Sequence, residues 1–323
     1  MRIVDEVSDR IDAYQRRHPV LGFPHAVQKR HGEEYSGRLG AVISYYAVFA
    51  LLPLLLAFVT VLRTVFGDND DLRDRVLDAV WEQLPFVGPD IREGVEPLAG
   101  SAWIVIASLL VTLWGARRVA QASQDAINQM WGVPLYARPG FFPKIARTFA
   151  VFALLGCATF GTSAIAGLTL GKSLGPVMAV ATTLASIALS TLVMAALYFL
   201  LCSRRLTLRE LAPGSVFAGV AVYLLTLLGG VYVQRVVAEA SSLYGSFAAI
   251  VGLLAWITLL VQAFVYGNLI NVVRVEQLWP RTLTGRNLGD ADVRAVELTK
   301  RRDVLVSQDR LDQVLDRDAS AER

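Results

Sequence analysis

Six stretches of this chain contain no Asp, Glu, Lys or Arg: Leu39–Leu62, Pro97–Ala116, Thr148–Gly171, Ser173–Ser203, Leu211–Gln234 and Ala240–Val273. Each is at least 20 residues long, the helical length that crosses the hydrocarbon core of a bilayer. No water satisfies the backbone there, so only helices and closed barrels span it. Barrel strands are about 10 residues long and alternate in polarity, whereas these runs are longer and do not alternate. The chain therefore reads as all-α, a polytopic membrane protein with six transmembrane helices. The same runs lack the intramembrane charge that marks pumps and proton relays.

Charge lies between the runs. Of the 31 Lys and Arg residues, 25 fall in alternate segments, beginning with the N-terminal one, against 6 in the others. Counted over the connections alone the ratio is 8 to 6, in the same sense. The positive-inside rule then places both termini in the cytoplasm. The basic residues face the anionic inner leaflet, and a nucleic-acid partner is not needed to explain them. The first 38 residues lack the apolar core of a cleavable signal peptide, so the first span is expected to act as an uncleaved insertion signal.

Three regions follow: a cytoplasmic N-terminal segment over 1–37, a six-helix membrane domain over 38–275, and a cytoplasmic tail over 276–323, partly disordered. Val4, Val7, Ile11 and Tyr14 recur at helical spacing, which predicts an amphipathic interfacial helix over 1–17 ended by Pro19 and Pro24. In the tail, Ala291–Arg302 has helical character. The connection Arg63–Glu96 holds nine acids and an apolar helical repeat, the pattern of a solvated helix. Ser215 and Gly219, and Gly214 and Ala218, are four apart and suit close helix packing. Gly156, Gly161 and Gly167 suit bending or close contact.

Several kinds of chemistry have no support. Cys157 falls mid-span and Cys202 near a helix end, so no disulfide between them is expected. His18, His25 and His31 stand seven and six residues apart, which puts no two on adjacent helix turns, so no metal site is expected. No Walker-type glycine loop, HExxH sequence or nucleophile elbow occurs. The expectation is a non-enzyme with no cofactor and no ATPase of its own.

The candidate path residues lie on three spans. In the first, Pro53 removes a helical hydrogen bond. Tyr45 and Tyr46 point about 100° apart near the cytoplasmic end, so one is expected to face the protein. The helical pattern of the second span continues past Trp114 to Trp131. Trp114, Arg118, Gln121, Asp125 and Asn128 form a stripe at spacings of four and three, suited either to a hydrated cavity or to the cytosol. Arg117 and Arg118 sit at the bilayer edge, where they either grip a phosphate headgroup or snorkel. In the last span, Tyr244-Gly245-Ser246 stands at the outer start, with Ser246 able to cap the helix. Asn268 and Asn271 lie near the inner end, as interhelical hydrogen-bonding or path-lining groups.

The run Gly37–Tyr46, continuing to Leu51-Leu52-Pro53-Leu54, resembles the signature of the YihY/BrkB family of inner-membrane proteins. So do the Trp114–Trp131 segment with Asn128, Tyr244-Gly245-Ser246, and Trp256. The resemblance covers roughly residues 30–275, and the long N-terminal extension is most similar to the YhjD branch. It implies six spans, cytoplasmic termini, location in a bacterial inner membrane and no settled biochemical activity. Members have carried the label ribonuclease BN, and the YhjD branch has been linked to export of a lipid A precursor. Many members have a Glu in the last span where this chain has Asn268, so a role needing an ionisable group there does not transfer.

Three functions compete. A transporter or flippase-like protein for a lipid or amphipathic anion fits six spans and arginines at the inner rim, with membrane lipids as partners. A non-transporting scaffold or regulator of envelope processes fits the charged termini. A nuclease needs clustered metal-binding acids and histidines, and the acids of the largest loop face outside.

Overall fold

A computed structural model describes residues 12, 15, 19–66, 102–169, 176–232, 246–283 and 288–304. The described elements are helical. They are α1 (Pro19–Glu33), α2 (Ser36–Phe66), α3 (Ala102–Met130), α4 (Phe141–Thr169), α5 (Pro176–Leu201), α6 (Leu208–Tyr232), α7 (Ser246–Val275) and α8 (Asp290–Arg302), with a short 3-10 turn at Leu135–Ala137. The predicted helix over 1–17, the acidic connection and Tyr244 lie outside the described residues, apart from Asp12, Gln15 and the end of α2.

Four helices contain segments long and apolar enough to cross a membrane: Phe141–Ala158, Val177–Leu201, Leu208–Gly229 and Ile250–Val275. Their apolar side chains mostly face outward. Only 17% of Val177–Leu201 is buried within the protein, and Leu184, Leu192 and Phe199 are exposed. In water such a surface would drive aggregation, because contiguous apolar patches of this size mark interaction surfaces. Lipid removes that cost, so the molecule is a multi-pass membrane protein. α2 and α3, of 31 and 29 residues, also exceed the length a crossing needs. Pro53 lies inside α2, which continues to Phe66.

α7 occupies the centre and packs against α1, α2, α3 and α6. Its approach to α6 depends on missing side chains. A Cβ on Gly214 would lie 1.9 Å from the Gly267 carbonyl oxygen, and one on Gly267 would lie 2.4 Å from the Tyr198 hydroxyl. Gly219 is equally tight against Thr191 of α5. The predicted small-residue spacings are thus backbone-to-backbone contacts, which favour association in lipid through packing and short polar contacts. Gly161 meets Leu189, whereas Gly156 faces open space. Cys157 and Cys202 are both free thiols.

A separate helix, α1, begins at Pro19 and carries Pro24 within it, while the end of the expected helix over 1–17 lies outside the described residues. Proline is accommodated in a first turn, whose N–H has no intrahelical partner. Pro24 stands on the exposed face shortly after, so the helix forfeits a single hydrogen bond. At the other end of the chain α8 forms over Asp290–Arg302, close to the expected span.

α3 ends at Gly132, with φ of 61°. The Val133 N–H bonds to the Asn128 carbonyl at 2.9 Å and the Gly132 N–H to that of Gln129 at 3.0 Å, a Schellman closure. Leu298 of α8 sits where a Cβ on Gly132 would be, its Cδ1 2.5 Å away. This contact seats α8 on the end of α3. α1, α8 and the chain that follows α7 together form a cap over this end of the bundle. Glu34 stands between Arg30 Nη2 and Arg302 Nη1, each at 2.5 Å. Asp292 accepts from Arg281 Nε at 2.7 Å, and Arg281 also pairs with Glu33 at 2.5 Å.

Candidate functional site

α2 and α3 cross where a glycine of α3 meets an alanine of α2. A Cβ on Gly115 would fall 2.8 Å from that of Ala50. From this contact the helices run antiparallel, and one turn nearer the cap Tyr46 packs edge-on against Trp114, with ring centroids 6.3 Å apart at 83°. Beyond Tyr46 the helices part around a groove of about 260 Å³, lined by Leu39, Val42, Tyr46, Arg118, Gln121, Ala122 and Asp125.

The groove is polar on the α3 side and apolar on much of the α2 side. The Arg118 guanidinium stands over the Trp114 ring at 5.2 Å, a cation–π contact that fixes a long side chain at the rim. Asp125 lies two turns further along the same face. Arg138 Nη1 approaches it at 3.6 Å and Lys144 Nζ at 4.0 Å. Both distances exceed the 2.7–2.9 Å of a direct charge-assisted hydrogen bond. The carboxylate is therefore neutralised in charge but keeps its lone pairs. Burial pulls Arg138 below its ordinary pKa, against the opposing pull of Asp125, without removing its charge.

The structure divides the candidates from the sequence. Tyr46, Arg118, Gln121 and Asp125 come together in the groove, and Trp114 packs against Tyr46 and Arg118 without lining it. Tyr45 turns outward and packs on Phe49 with centroids 4.5 Å apart. Arg117 points away, over the Phe141 ring at 5.1 Å. Pro53 lies beyond the groove on the far side of Ala50.

The three asparagines sit elsewhere, in the packed interior. Asn128 is buried, donating to the Leu201 carbonyl at 3.4 Å and accepting from the Ser203 N–H at 2.8 Å. It leaves the stripe because ten residues at 100° each put it about 80° round the helix from Arg118, towards Leu201 and Ser203. Asn268 accepts from the Trp131 indole N–H at 2.9 Å and faces Met130 Sδ at 3.2 Å. Asn271 accepts from the Gly214 N–H at 2.7 Å. All three join helices or close helix ends.

Sequence reasoning missed Arg138 and Lys144, which reach Asp125 from beyond the end of α3. It also missed the Gly115–Ala50 contact that closes one end of the groove. The latter carried a signal, since Gly115 lies between bulky Trp114 and the continuing helix. The former carried none.

A bundle of apolar helices with an amphipathic side groove, closed by a charged cap, defines a helical multi-pass membrane protein. The family model described as virulence factor BrkB matches residues 27–287, and this chain belongs to that family. It is 24% identical over 247 residues to the ribonuclease-like protein YfkH of Bacillus subtilis (strain 168), covering 72% of this chain and 88% of that protein. No solved structure matches. Despite the relative's description, the BrkB family is not a known enzyme family.

Proposed function

We propose that this protein moves a lipid or another amphipathic anion across a bacterial inner membrane, without an ATPase of its own. In this reading α2 to α7 cross six times and both termini, with the cap, are cytoplasmic. The groove then lies at the inner-leaflet headgroup level. The observation that carries the reading is the pairing of Arg118, held on Trp114 at 5.2 Å, with an apolar wall of Leu39 and Val42. A phosphate meets the guanidinium while acyl chains stay against the outward apolar faces of the helices. A charge-free bundle interior suits such a path, because the headgroup crosses without meeting a fixed counter-charge.

The test is reconstitution of the full chain in vesicles with fluorescent phospholipid in both leaflets. Quencher added outside should bleach well beyond the half seen in protein-free vesicles, and Arg118→Gln should slow that excess about tenfold, the worth of one charge-assisted hydrogen bond. Bleaching that stops at one half with wild-type protein defeats the reading.

The ion-paired cap favours a second reading, a scaffold or regulator of envelope processes that uses the cap as its binding surface. Crosslinking in membranes should then return a stoichiometric partner, lost when α8 is removed. The ribonuclease-like description of the relative suggests a third. It has no ligand set to build on, since among the described residues no three His, Cys, Asp or Glu side chains converge to hold a metal.

A further inference from the structure

The groove lies between two pinches. At one, a Cβ on Gly115 of α3 would fall 2.8 Å from that of Ala50 of α2. At the other, the Gln129 amide of α3 donates to the Glu34 carbonyl just before α2, at 3.0 Å. The residues that line the groove run from Leu39 to Tyr46 on α2 and from Arg118 to Asp125 on α3. Both sets fall between the two contacts on their own helix, so the spacing of the walls is set at both ends.

The two ends are not alike. The first is one helix directly against the other. The second is crossed by α8, which touches both sides and belongs to neither. Leu298 of α8 lies on Gly132 at the end of α3, its Cδ1 2.5 Å from where a Cβ would stand. Arg302 of α8 pairs with the Glu34 carboxylate at 2.5 Å. Arg30 of α1 donates to the Thr299 hydroxyl at 3.0 Å and to the Ala295 carbonyl at 3.4 Å. α8 thus straps the end of α3 to the corner between α1 and α2.

The strap is firm at its start and light at its far half. Asp292, in its first turn, accepts from Arg281 Nε at 2.7 Å and from the Gly289 N–H at 3.1 Å, and pairs with Lys29 at 3.3 Å. The apolar face that α8 buries is Ala291, Ala295 and Leu298, two methyl groups and one large side chain. The leucine therefore carries most of the hydrophobic gain. Release strands no buried charge, because Glu34 stays paired with Arg30 at 2.5 Å, four residues back along its own chain. An element pinned at one end and lightly held at the other swings about its terminal residues.

We infer that α8 is a latch on the groove. Docked, it holds α2 and α3 at the spacing seen here. Released, it lets them part at the cap end about the Gly115–Ala50 contact, and the groove widens. The latch acts through the ends of its two walls, since none of the residues that line the groove belongs to α8. It concerns access to the groove and holds whatever the groove binds.

The test is double electron–electron resonance on the full chain in lipid nanodiscs, with exposed Cys157 replaced by serine and spin labels at Val42 and Gln121, one on each wall of the groove. Wild type should give one main distance. Leu298→Ala should raise a longer-distance population about tenfold, the worth of most of a buried leucine side chain. Arg302→Gln, which leaves Arg30 and Glu34 paired, should raise the same population less. A second pair of labels, at exposed Leu192 of α5 and exposed Phe217 of α6, shares no residue with the strap and should keep its wild-type distance in both variants.

A Val42–Gln121 distance unmoved by either variant overturns the inference, even if vesicles show flipping. So does a change that appears equally between α5 and α6, because the variant then loosens the whole bundle rather than the groove. A groove that widens as expected in a protein that flips no lipid defeats the transport reading and leaves the latch standing.

Discussion

In the bundle, Asn268 takes one hydrogen bond from Trp131 at 2.9 Å and Asn271 one from the Gly214 N–H at 2.7 Å. In the cap, Arg30 and Glu34 are both fully buried and face each other at 2.5 Å. Both regions bury polar atoms, but they use different materials. An amide buried in apolar surroundings asks for one or two hydrogen bonds. A buried charge loses several kcal/mol of hydration, which only a well-placed opposite charge recovers. The bundle faces lipid on its outer surface, where a stray charge has no second solvent to turn to. The cap lies where water reaches its rim, and arginines such as Arg302 and Arg281 close a network whose outer members stay wet. Charge is thus concentrated where a broken pair can be rescued by solvent and excluded where it cannot.

The largest expected effect strikes at the cap. Glu34→Gln leaves buried Arg30 with only its longer contact to the partly exposed Glu33, at 3.8 Å, and should cost about 3 kcal/mol. Arg302→Gln removes the other, partly exposed partner of the same carboxylate and should cost much less. Thermal unfolding of the detergent-purified protein compares the two. Equal shifts would mean that the cap tolerates a lone buried charge, and the contrast between regions would fail.

Next comes close packing in the bundle. Gly267→Ala drives a methyl group against the Tyr198 hydroxyl and the Gly214 carbonyl, at 2.4 and 2.6 Å. Overpacking of this kind costs about 1–3 kcal/mol. Gly156→Ala meets nothing within 4 Å and should stay within about 0.5 kcal/mol of wild type. The same assay reads both, and a large effect at Gly156 would show that helix flexibility, not packing, is what glycine supplies here.

A comparable change is expected from the amide. Asn268→Leu strips the acceptor from the buried Trp131 N–H, a loss of about 1–3 kcal/mol. Tryptophan emission reports it independently, because an indole losing its hydrogen bond should shift to the blue. Asn268→Asp should be worse than Asn268→Leu, since it buries a carboxylate against Trp131 and Met130. If the acid is tolerated better than leucine, the bundle interior is wetter than its packing implies.

These positions also show how much was readable from the chain alone. The spans were legible because a charge-free run of 20 residues has one physical meaning in lipid. Half of the groove was legible because Trp114, Arg118, Gln121 and Asp125 share a helix face by local geometry. Asn128 fell on the same count yet turned inward, since it lies about 80° round the helix from Arg118 at the other margin of the stripe. The cap left no comparable trace. Arg302 and Glu34 are 268 residues apart and Arg281 and Glu33 are 248 apart. Neither pair follows a period, and salt bridges between distant surface-type residues have no sequence signature. For the same reason the partners of Asp125 became visible only once the connection after α3 was placed.

The smallest effect concerns acid. Asp292 is buried, which by itself would raise its carboxyl. Hydrogen bonds from Arg281, the Gly289 N–H and the Thr282 N–H outweigh that and hold it below its ordinary 3.8. A carboxyl with a lowered folded value stabilises the fold above its unfolded value and loses that contribution as pH falls through the folded one. The cap should therefore loosen below about pH 3.8 through Asp292. His25 adds an earlier step. Burial, and then Lys29, lower its pKa from 6.5, against raising contributions from Asp12 and Asp292. The unfolded chain then binds the extra proton first, so stability falls as pH drops through 6.5 and below. Limited proteolysis at the α8 junction should show two acid phases, the upper removed by His25→Asn and the lower altered by Asp292→Asn. α4 and α5 contain no carboxylate, so cleavage within them should stay flat across the same range. A matching acid phase there would mean that the two regions share charge after all.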